Sequence, residues 1–315
     1  MTAPRTRVQR RPVHGVLLLD KPLGLSSNQA LQKAKWLLRA EKAGHTGTLD
    51  PLATGLLPLC FGAATKFGQL QLDADKTYEA TLRLGVKTST ADAEGDVVET
   101  RAVPSIDVVR LEAVAMHFTG AIRQVPPMHS ALKKDGKPLY EYARAGEEVE
   151  REPRDVVIHS LALQTLDSTT LKLVATVSKG TYIRTLGEDI GEALGCGGHL
   201  ASLRRTASGG IPVARCVTLE ALEAMDEGER LAQLLPAESL VVDHTRVTLP
   251  GNDAARFLSG LRRRGEWTDA ERVAVFSPDA FIGTAHVKAG ELIPGRLLSP
   301  IEIQQILHKT PSTAS

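Results

Sequence analysis

Residues 44–55 carry the side chain with the clearest chemical potential in this sequence, and they read Gly-His-Thr-Gly-Thr-Leu-Asp-Pro-Leu-Ala-Thr-Gly. Their glycines and proline disfavour a helix or a regular strand, and the mostly apolar run 56–61 that follows predicts a buried strand. A tight loop that enters a buried strand can hold one reactive group in a fixed pose. Asp50 is the only carboxylate in this loop, so it is a candidate acid, base or nucleophile. The competing interpretation is an ordinary turn-forming aspartate before Pro51.

Four segments of the chain resemble the TruB family of tRNA pseudouridine synthases. The longest is the uninterrupted match at 44–55, and a second is Asp-Lys-Pro-Leu-Gly-Leu-Ser-Ser at 20–27. The third is Lys-Gly-Thr-Tyr-Ile-Arg-Thr at 179–185, and the fourth covers 199–206. Together these segments extend over much of the chain and are far more specific than a short glycine pattern.

The resemblance implies a role for each of seven residues. Asp50 would be the catalytic residue, and His45 would contact the RNA. The others would bind the substrate: Tyr78 by stacking on the target base, Tyr182 and Arg184 as the active-site aromatic and arginine, Leu203 by packing against the nucleoside, and Lys21 by lining the site.

Electrostatics supports a pairing of Arg184 with Asp50. A carboxylate taken out of water tends to become protonated, whereas a nearby guanidinium favours its charged form. An arginine beside Asp50 would therefore keep the carboxylate ionised and aimed. The alternative, an arginine at the start of a surface helix, is weakened by the apolar neighbours Ile183 and Leu186.

Three of these residues also have ordinary structural interpretations. Lys21 could be a solvated charge, and Leu203 could be a core leucine. Tyr78 could be a core residue whose hydroxyl finds a nearby partner. For Tyr78 the two interpretations are compatible, because a ring packed on one side can stack on a ligand with the other.

The hydrophobic patterns predict an α+β architecture. A buried strand is expected at 15–19, an alternating strand at 76–84, and two adjacent strands within 156–177. Ser26 and Gln29 predict a capping box that starts a helix with an apolar stripe at 30–38. A second amphipathic helix is expected at 103–118, and a polar linker at 226–230. The family resemblance adds the pseudouridine synthase fold, a mixed and mostly antiparallel sheet with flanking helices.

Two further regions predict contact with nucleic acid. In 126–154, basic residues alternate with Tyr140 and Tyr142 around a Lys-Asp-Gly-Lys hairpin tip, which suits a folded RNA. The alternative is a solvated hairpin, but the family has an RNA-gripping insertion here. From about 240 the chain is similar to a PUA-like β-barrel, where Arg262-Arg263-Arg264 could contact phosphates. The expected organisation is a flexible basic arm at 1–12, a catalytic domain at 13–235 with this insertion, and the PUA-like domain at 240–309; 310–315 is expected to be disordered.

Composition limits the remaining possibilities. The 315 residues carry a formal net charge of +1, so RNA binding must use local patches rather than overall charge. The three cysteines are widely spaced, which predicts neither a zinc site nor a disulfide framework. No apolar run is long enough to cross a bilayer, and the arginine-rich N-terminus lacks the apolar segment of a signal peptide. We therefore expect a cytoplasmic protein without a metal.

The expected activity is the isomerisation of a uridine in the T-loop of tRNA, at position 55, to pseudouridine, with no cofactor and no obligatory protein partner. Three alternatives remain open at this point. A hydrolytic N-glycosidase would need a second group to activate water, which the motif 44–55 does not offer. The others are a guide-RNA-dependent pseudouridine synthase and a non-catalytic RNA-binding or RNA-folding protein.

Overall fold

The computed structural model describes residues 9–130 and 132–308, in which strands and helices are intermixed along the chain. In chain order the strands are β1 (Gly15–Lys21), β2 (Ala43–His45), β3 (Ala53–Phe61), β4 (Lys76–Leu84), β5 (Val86–Thr88), β6 (Val97–Thr100), β7 (Gly120–Gln124), β8 (Lys133–Lys134), β9 (Lys137–Pro138), β10 (Arg154–Asp167), β11 (Thr170–Val177), β12 (Gly198–Ser208), β13 (Ile211–Pro212), β14 (Val217–Thr218), β15 (Thr245–Thr248), β16 (Arg263–Arg264), β17 (Ala270–Phe276), β18 (Phe281–Lys288) and β19 (Glu291–Leu297). The helices are α1 (Ser27–Leu37), α2 (Gly68–Leu72), α3 (Val108–Phe118), α4 (Leu139–Arg144), α5 (Ile183–Ala193), α6 (Leu219–Ala224), α7 (Glu227–Ala232), α8 (Gly251–Leu258) and α9 (Pro300–Leu307), with short 3₁₀ turns at Gly62–Lys66, Val213–Arg215 and Ala237–Leu240.

A ten-stranded sheet forms the larger part of the molecule. Its main order is β14-β1-β3-β12-β4-β11-β10-β7, with β13 added to β12 and β2 added to β3. Only the β1–β14 and β3–β12 pairs are parallel, so the predicted mixed, mostly antiparallel sheet is confirmed. The two sequence-distant strands β3 and β12 lie side by side at its centre, and β4 follows β12 directly.

The hydrophobic patterns explain the strands and helices that surround the centre of this sheet. In β4 the buried side chains alternate as predicted, and in β11 every second residue is buried. Helix α1 begins at the predicted capping box: the Gln29 amide donates to Ser26 Oγ (3.2 Å), and the Ser26 amide donates to Gln29 Oε1 (2.8 Å). The buried residues of α1 and its C-cap match the predicted stripe.

Two sequence predictions about helices are wrong at their boundaries. The predicted helix at 103–118 begins only at Val108, because Asp107 caps it by accepting a hydrogen bond from the Arg110 amide (2.8 Å). The predicted linker at 226–230 instead opens helix α7, where Asp226 and Glu229 form a reciprocal capping box. This short helix was not predicted because its sequence is polar: none of the residues of α7 is buried, so no apolar stripe marks it.

The C-terminal sheet is smaller and curled into a half-barrel, which is consistent with the predicted PUA-like domain. Its order is β15-β17-β18-β19-β16, and β15 pairs with β17 in parallel. It has its own core around Phe257, while a second hydrophobic cluster joins it to the large sheet. In that shared cluster the rings of Phe67 and Phe281 lie 5.1 Å apart.

The chain ends bear on two of the sequence predictions. Within the predicted arm at 1–12, Arg11 pairs with Glu227 and the Arg11 amide donates to Arg39 O (2.9 Å), which docks this part against the large sheet's helices. Residues 1–8 of that arm, and the tail 310–315 for which disorder was predicted, lie outside the described residues. Within the described part of the chain, no helix combines the length and apolarity needed to cross a membrane.

Candidate active site

The loop between β2 and β3 presents Asp50 at the centre of the large sheet. Leu49, the residue before Asp50, is fixed at both its amide and its carbonyl by Ser27, the first residue of α1. The Ser27 Oγ accepts from the Leu49 amide (2.7 Å) and donates to Leu49 O (3.0 Å). The Asp50 carbonyl accepts from the Ala53 amide (3.0 Å), and the Pro51 carbonyl accepts from the Gly24 amide (2.9 Å). The backbone on both sides of the carboxylate is therefore fixed by α1, by the turn before it, and by the start of β3.

Arg184 is the side chain paired with Asp50. It lies in the first turn of α5, and its Nη2 is 3.0 Å from Asp50 Oδ2. The same guanidinium donates to Thr90 O (3.1 Å) and to His129 O (2.6 Å). The Arg184 side chain is 6% exposed and the Asp50 side chain 38%, so a buried cation orients a carboxylate that remains accessible.

A second carboxylate, Asp92, also pairs with Arg184, and no sequence motif marks it as a site residue. Asp92 Oδ2 lies 3.3 Å from Arg184 Nη1, and its side chain is almost fully buried. It sits in the turn between β5 and β6, which an isolated bridge to Leu200 of β12 holds near the centre of the sheet. Because Asp92 also accepts from Thr90 Oγ1 and the Glu94 amide, it is engaged on several sides.

The charges around Asp50 oppose one another. Burial raises the pKa of the Asp50 carboxyl above its ordinary range, Arg184 lowers it, and the charge of Asp92 raises it again. Arg184 therefore offsets only part of the cost of ionising Asp50 in this environment. The predicted pairing is present, but its effect on the pKa is smaller than the sequence argument assumed.

A cavity of about 290 Å³ opens beside Asp50 and Arg184. Tyr78 of β4, Leu203 of β12 and Tyr182 at the start of α5 all line it, so three of the predicted substrate contacts share one concave surface. The strand register explains the convergence: Leu203 of β12 pairs with Ala53 of β3 on one side and with Ala80 of β4 on the other. Two aromatic rings and one leucine around a carboxylate can enclose a planar base with its sugar.

A second cavity of about 600 Å³ adjoins the first, and His45 lines it. Asp50 and Arg184 line both cavities. Burial and the charge of Arg205 lower the pKa of His45, which favours the neutral imidazole. Its buried Nδ1 has no hydrogen-bond partner among the residues that the structure describes. His45 thus lines a cavity that shares Asp50 and Arg184 with the aromatic cavity.

Lys21 lines neither of these two cavities, and its predicted contact with the substrate stays a prediction. Its side chain is 0% exposed, and its Nζ donates to Leu25 O (2.5 Å) and Pro22 O (2.9 Å), with Pro51 O at 3.5 Å. Burial lowers the pKa of Lys21 to about 8, while Asp50 acts in the opposite direction. Lys21 therefore ties the end of β1 to the turn that follows it and approaches the loop that presents Asp50 at Pro51 O.

The two segments predicted to bind nucleic acid differ in what their basic side chains contact. In the insertion 126–154, Lys137 lies over the Tyr142 ring (4.3 Å) and Arg144 over the Tyr140 ring (5.3 Å), and Tyr140 and Arg144 line the larger cavity. In the C-terminal sheet, by contrast, each arginine of the predicted phosphate contact is matched by a carboxylate. These pairs are Arg262–Glu291 (3.3 Å), Arg263–Asp253 (2.6 Å) and Arg264–Glu291 (2.9 Å).

Metal ligation is not indicated by the geometry of these residues. Across 9–130 and 132–308, no group of three or more His, Cys, Asp or Glu side chains is arranged to hold a metal ion. The arrangement instead offers one accessible carboxylate, a buried arginine that orients it, and an aromatic cavity.

Comparison with known proteins places this geometry in a family. The "TruB family pseudouridylate synthase (N terminal domain)" matches residues 35–183, and the "tRNA pseudouridylate synthase B C-terminal domain" matches residues 184–242. The chain is 65% identical over 317 residues to "tRNA pseudouridine synthase B" of Verminephrobacter eiseniae, covering 98% of this chain and 96% of that protein. It is 55% identical over 304 residues to the protein of the same name from Burkholderia mallei, covering 94% and 97%. Among solved structures, one described as "Crystal Structure of a Cbf5-Nop10-Gar1 Complex" is similar with a TM-score of 0.67 and 26% identity, covering 96% of this chain and 82% of that one.

Proposed function

Because the chain belongs to the TruB family of pseudouridylate synthases, we propose that it converts uridine 55 in the T-loop of tRNA to pseudouridine. Family membership makes it an enzyme that isomerises uridine in tRNA. The T-loop target, the mechanism and the roles of individual residues are the further content of the proposal. The observation that carries it is the Asp50–Arg184 pair at 3.0 Å beside a cavity lined by Tyr78 and Tyr182.

In the proposed reaction the bond between ribose C1′ and uracil N1 breaks, the base turns, and C1′ joins C5. The proton on C5 is lost and N1 gains one, so no water, oxidant or cofactor enters the balance. Asp50 acts at the sugar, either by attacking C1′ or by removing a ribose proton, and both routes need the ionised carboxylate. Arg184 holds the carboxylate in place, while Tyr78, Tyr182 and Leu203 retain the detached base.

The target uridine must leave its stacked position before this chemistry can begin. Extruding a nucleotide costs a few kcal/mol, and one aromatic–base stack contributes roughly 1–3 kcal/mol. Stacking on Tyr78 therefore offsets much of the cost. His45 lines the adjoining cavity, where it can fill the space that the extruded base leaves. Its neutral state suits contact with bases rather than phosphates.

The two RNA-gripping regions are part of the same proposal. The insertion 126–154 would hold the tRNA arm, because its Arg144–Tyr140 pair lines the cavity that contains His45. Residues 240–309 would form an RNA-binding module. In that module the matched arginines at 262–264 are less available for phosphates than their sequence suggests, since each already has a carboxylate partner. The catalytic domain would then span 13–235.

The test is position-resolved mapping of pseudouridine in an unmodified tRNA transcript incubated with the purified chain alone. We expect complete conversion at uridine 55 and at no other position. A transcript with cytidine at that position is the control. Conversion elsewhere in the transcript, with uridine 55 untouched, would overturn the T-loop target.

The same incubation separates two alternative functions. A guide-RNA-dependent enzyme would leave the bare transcript unmodified, and the 65% identity to a tRNA synthase over nearly the full length favours the stand-alone enzyme. A hydrolytic N-glycosidase would release free uracil, whereas isomerisation leaves the mass of the RNA unchanged. The second carboxylate that hydrolysis requires is present as Asp92, but it is buried and paired with Arg184, which disfavours its acting on water.

A further inference from the structure

Arg205 is a buried cation that the proposed mechanism does not yet use. It lies on β12, is 1% exposed, and donates only to neutral groups: Nε to Leu56 O (2.7 Å) and Nη2 to Gly47 O (3.3 Å). Among the described residues no carboxylate pairs with its guanidinium. A buried charge without a counter-charge is costly, so a guanidinium in this position calls for a specific role.

A second buried cation, Lys76, lies near Arg205, while Asp73 and Asp75 are the carboxylates that act on Lys76. Lys76, on β4, is also buried, and its Nζ donates to Leu72 O (2.7 Å) and Gln71 O (3.1 Å), with Ala74 O as a further acceptor. Burial and Arg205 together lower the pKa of Lys76 to about 8. Because the ammonium is fully engaged by carbonyls, Lys76 supplies charge but no free donor.

Arg205 lines the cavity that contains the predicted base contacts, and among the described residues its Nη1 has no hydrogen-bond partner. Arg205 and Lys76 both line it, together with Tyr78 and Leu203. Arg205 pairs across β12–β4 with Tyr78, the residue proposed to stack on the base, and an irregularity in β12 follows immediately after it. Such irregularities re-aim a side chain relative to a regular strand. The adjacent Arg204 lies outside both cavities and pairs with Asp20 (2.7 Å).

We propose that Arg205 is a further catalytic residue, whose guanidinium donates to a carbonyl oxygen of the uracil and stabilises the negative charge on the base when the C1′–N1 bond breaks. This inference rests on the proposed function. When that bond breaks heterolytically, the electron pair stays with uracil and is shared among N1, C5 and both carbonyl oxygens. Fixed donors in a water-poor cavity stabilise such a charge far better than water does.

The symmetry of the base turn makes one arginine sufficient. Turning the ring about the axis through N3 and C6 exchanges N1 with C5 and O2 with O4. A donor that meets O2 before the turn therefore meets O4 after it. The charge stays compensated until C5 bonds to C1′, the C5 proton leaves, and N1 is protonated.

The test compares the wild type with Arg205→Gln, Arg205→Lys and Arg204→Gln, on transcripts carrying uridine or 5-fluorouridine at the target position. Consumption of the target nucleoside is measured in single turnover at saturating enzyme, and RNA affinity and thermal unfolding are measured in parallel. Fluorine at C5 stabilises the uracil anion by itself, so it replaces part of what Arg205 supplies. Arg204→Gln is the matched control, because it removes the neighbouring arginine from the same strand outside the cavity.

For Arg205→Gln we expect a loss of about 100-fold on uridine but only about 10-fold on 5-fluorouridine, with RNA affinity unchanged. Arg205→Lys keeps the positive charge, so its rate on uridine should fall less, and its loss should again be smaller on 5-fluorouridine than on uridine. If Arg205→Gln does not fold, this comparison in Arg205→Lys provides the test. Equal losses on both nucleosides, or no loss on uridine, would overturn the proposal and leave Arg205 as a support for Gly47 and Leu56. If the wild type itself converts no uridine, the proposed function fails instead.

Discussion

One arginine serves two carboxylates at the centre of this site, and that imbalance governs how Asp50 behaves. Arg184 contacts Asp50 and Asp92 through different nitrogens and also holds two backbone carbonyls. All its strong interactions fix its position, so Asp50 is aimed by a rigid partner. The cost is that Asp92 competes for the same positive charge.

The competition has a measurable pH dependence. Because burial and Asp92 raise the pKa of Asp50, and the reaction needs the ionised form, activity should fall on acidification at a higher pH than for an ordinary aspartate. Asp92→Asn removes the charge that raises this pKa, so its acidic limb should move to lower pH. Single-turnover rates between pH 4 and pH 8 measure the acidic limb of the wild type and that of Asp92→Asn. An acidic limb that moves upward in Asp92→Asn would contradict this account of the charges.

The site residues that lie in recognisable motifs could be predicted from the sequence. Those that reach the site only through the order of the strands could not. Asp50 and Arg184 are far apart in sequence, and their pairing followed from the motifs that contain them. Asp92 belongs to a short turn with no distinguishing pattern, and it reaches the site only because β5 and β12 run close together. The burial of Lys21 could not be predicted, because no local sequence pattern reveals that the carbonyl groups of Pro22 and Leu25 enclose its ammonium group.

At the scale of elements, the close approach of β3 and β12 positions the site. Gly55 has φ +101°, and a Cβ there would lie 2.3 Å from Arg205 O and 2.9 Å from Arg205 N. Only glycine lets the two backbones meet at this register, which places Asp50, Leu203 and Arg205 around one cavity. The glycine that ends the family motif is therefore a packing requirement of the sheet.

Gly55→Ala tests this close approach. We expect it to lower the free energy of unfolding by more than about 3 kcal/mol, since it combines an unfavourable φ with a backbone collision. Gly24→Ala is the matched control: Gly24 has φ +83° but no atom near its Cβ position, so only about 1 kcal/mol is expected. Urea unfolding measures both. Equal losses in the two variants would show that φ alone matters at Gly55.

Most strands and the first helix could be predicted because their patterns are local. The alternation in β4 and the capping box of α1 are read directly from neighbouring residues. The order of the sheet could not be predicted that way, because β3 and β12 are joined only by long-range contacts. The start of α3 could not be predicted, because it depends on which polar residue caps the helix. Asp107 does so by accepting a hydrogen bond from the Arg110 amide.

At the scale of the whole molecule, the two sheets share a hydrophobic cluster. Phe281 of the C-terminal sheet packs on Phe67, which follows β3, and also on Phe276. Because apolar surface buried between two sheets is lost when either unfolds, we expect them to unfold together. The catalytic loop and the C-terminal sheet would then be held in a fixed relation through β1 and β3.

Phe281→Ala tests this coupling. The two tryptophans report on the two sheets separately, because Trp36 lies in α1, whereas Trp267 lies between β16 and β17 and packs against the core of the C-terminal sheet. Replacing either tryptophan by phenylalanine leaves one reporter. The two reporters should give coincident urea transitions in the wild-type background. In Phe281→Ala, with an expected loss of about 3–5 kcal/mol, the Trp267 transition should precede that of Trp36.

Phe257→Ala is the control, because Phe257 is equally buried but belongs to the C-terminal sheet's own core. It should shift both reporters together. Transitions that remain coincident in Phe281→Ala would mean that the shared cluster is not what joins the two sheets.

The central claim is that an accessible carboxylate at Asp50, oriented by Arg184, carries out the reaction at the sugar. Asp50→Asn tests it most directly, because it removes the charge with almost no change of shape. We expect no pseudouridine at uridine 55 in a tRNA transcript at saturating enzyme, while the affinity for that transcript stays within a few-fold of the wild type. Conversion by Asp50→Asn at a rate comparable with the wild type would contradict the account.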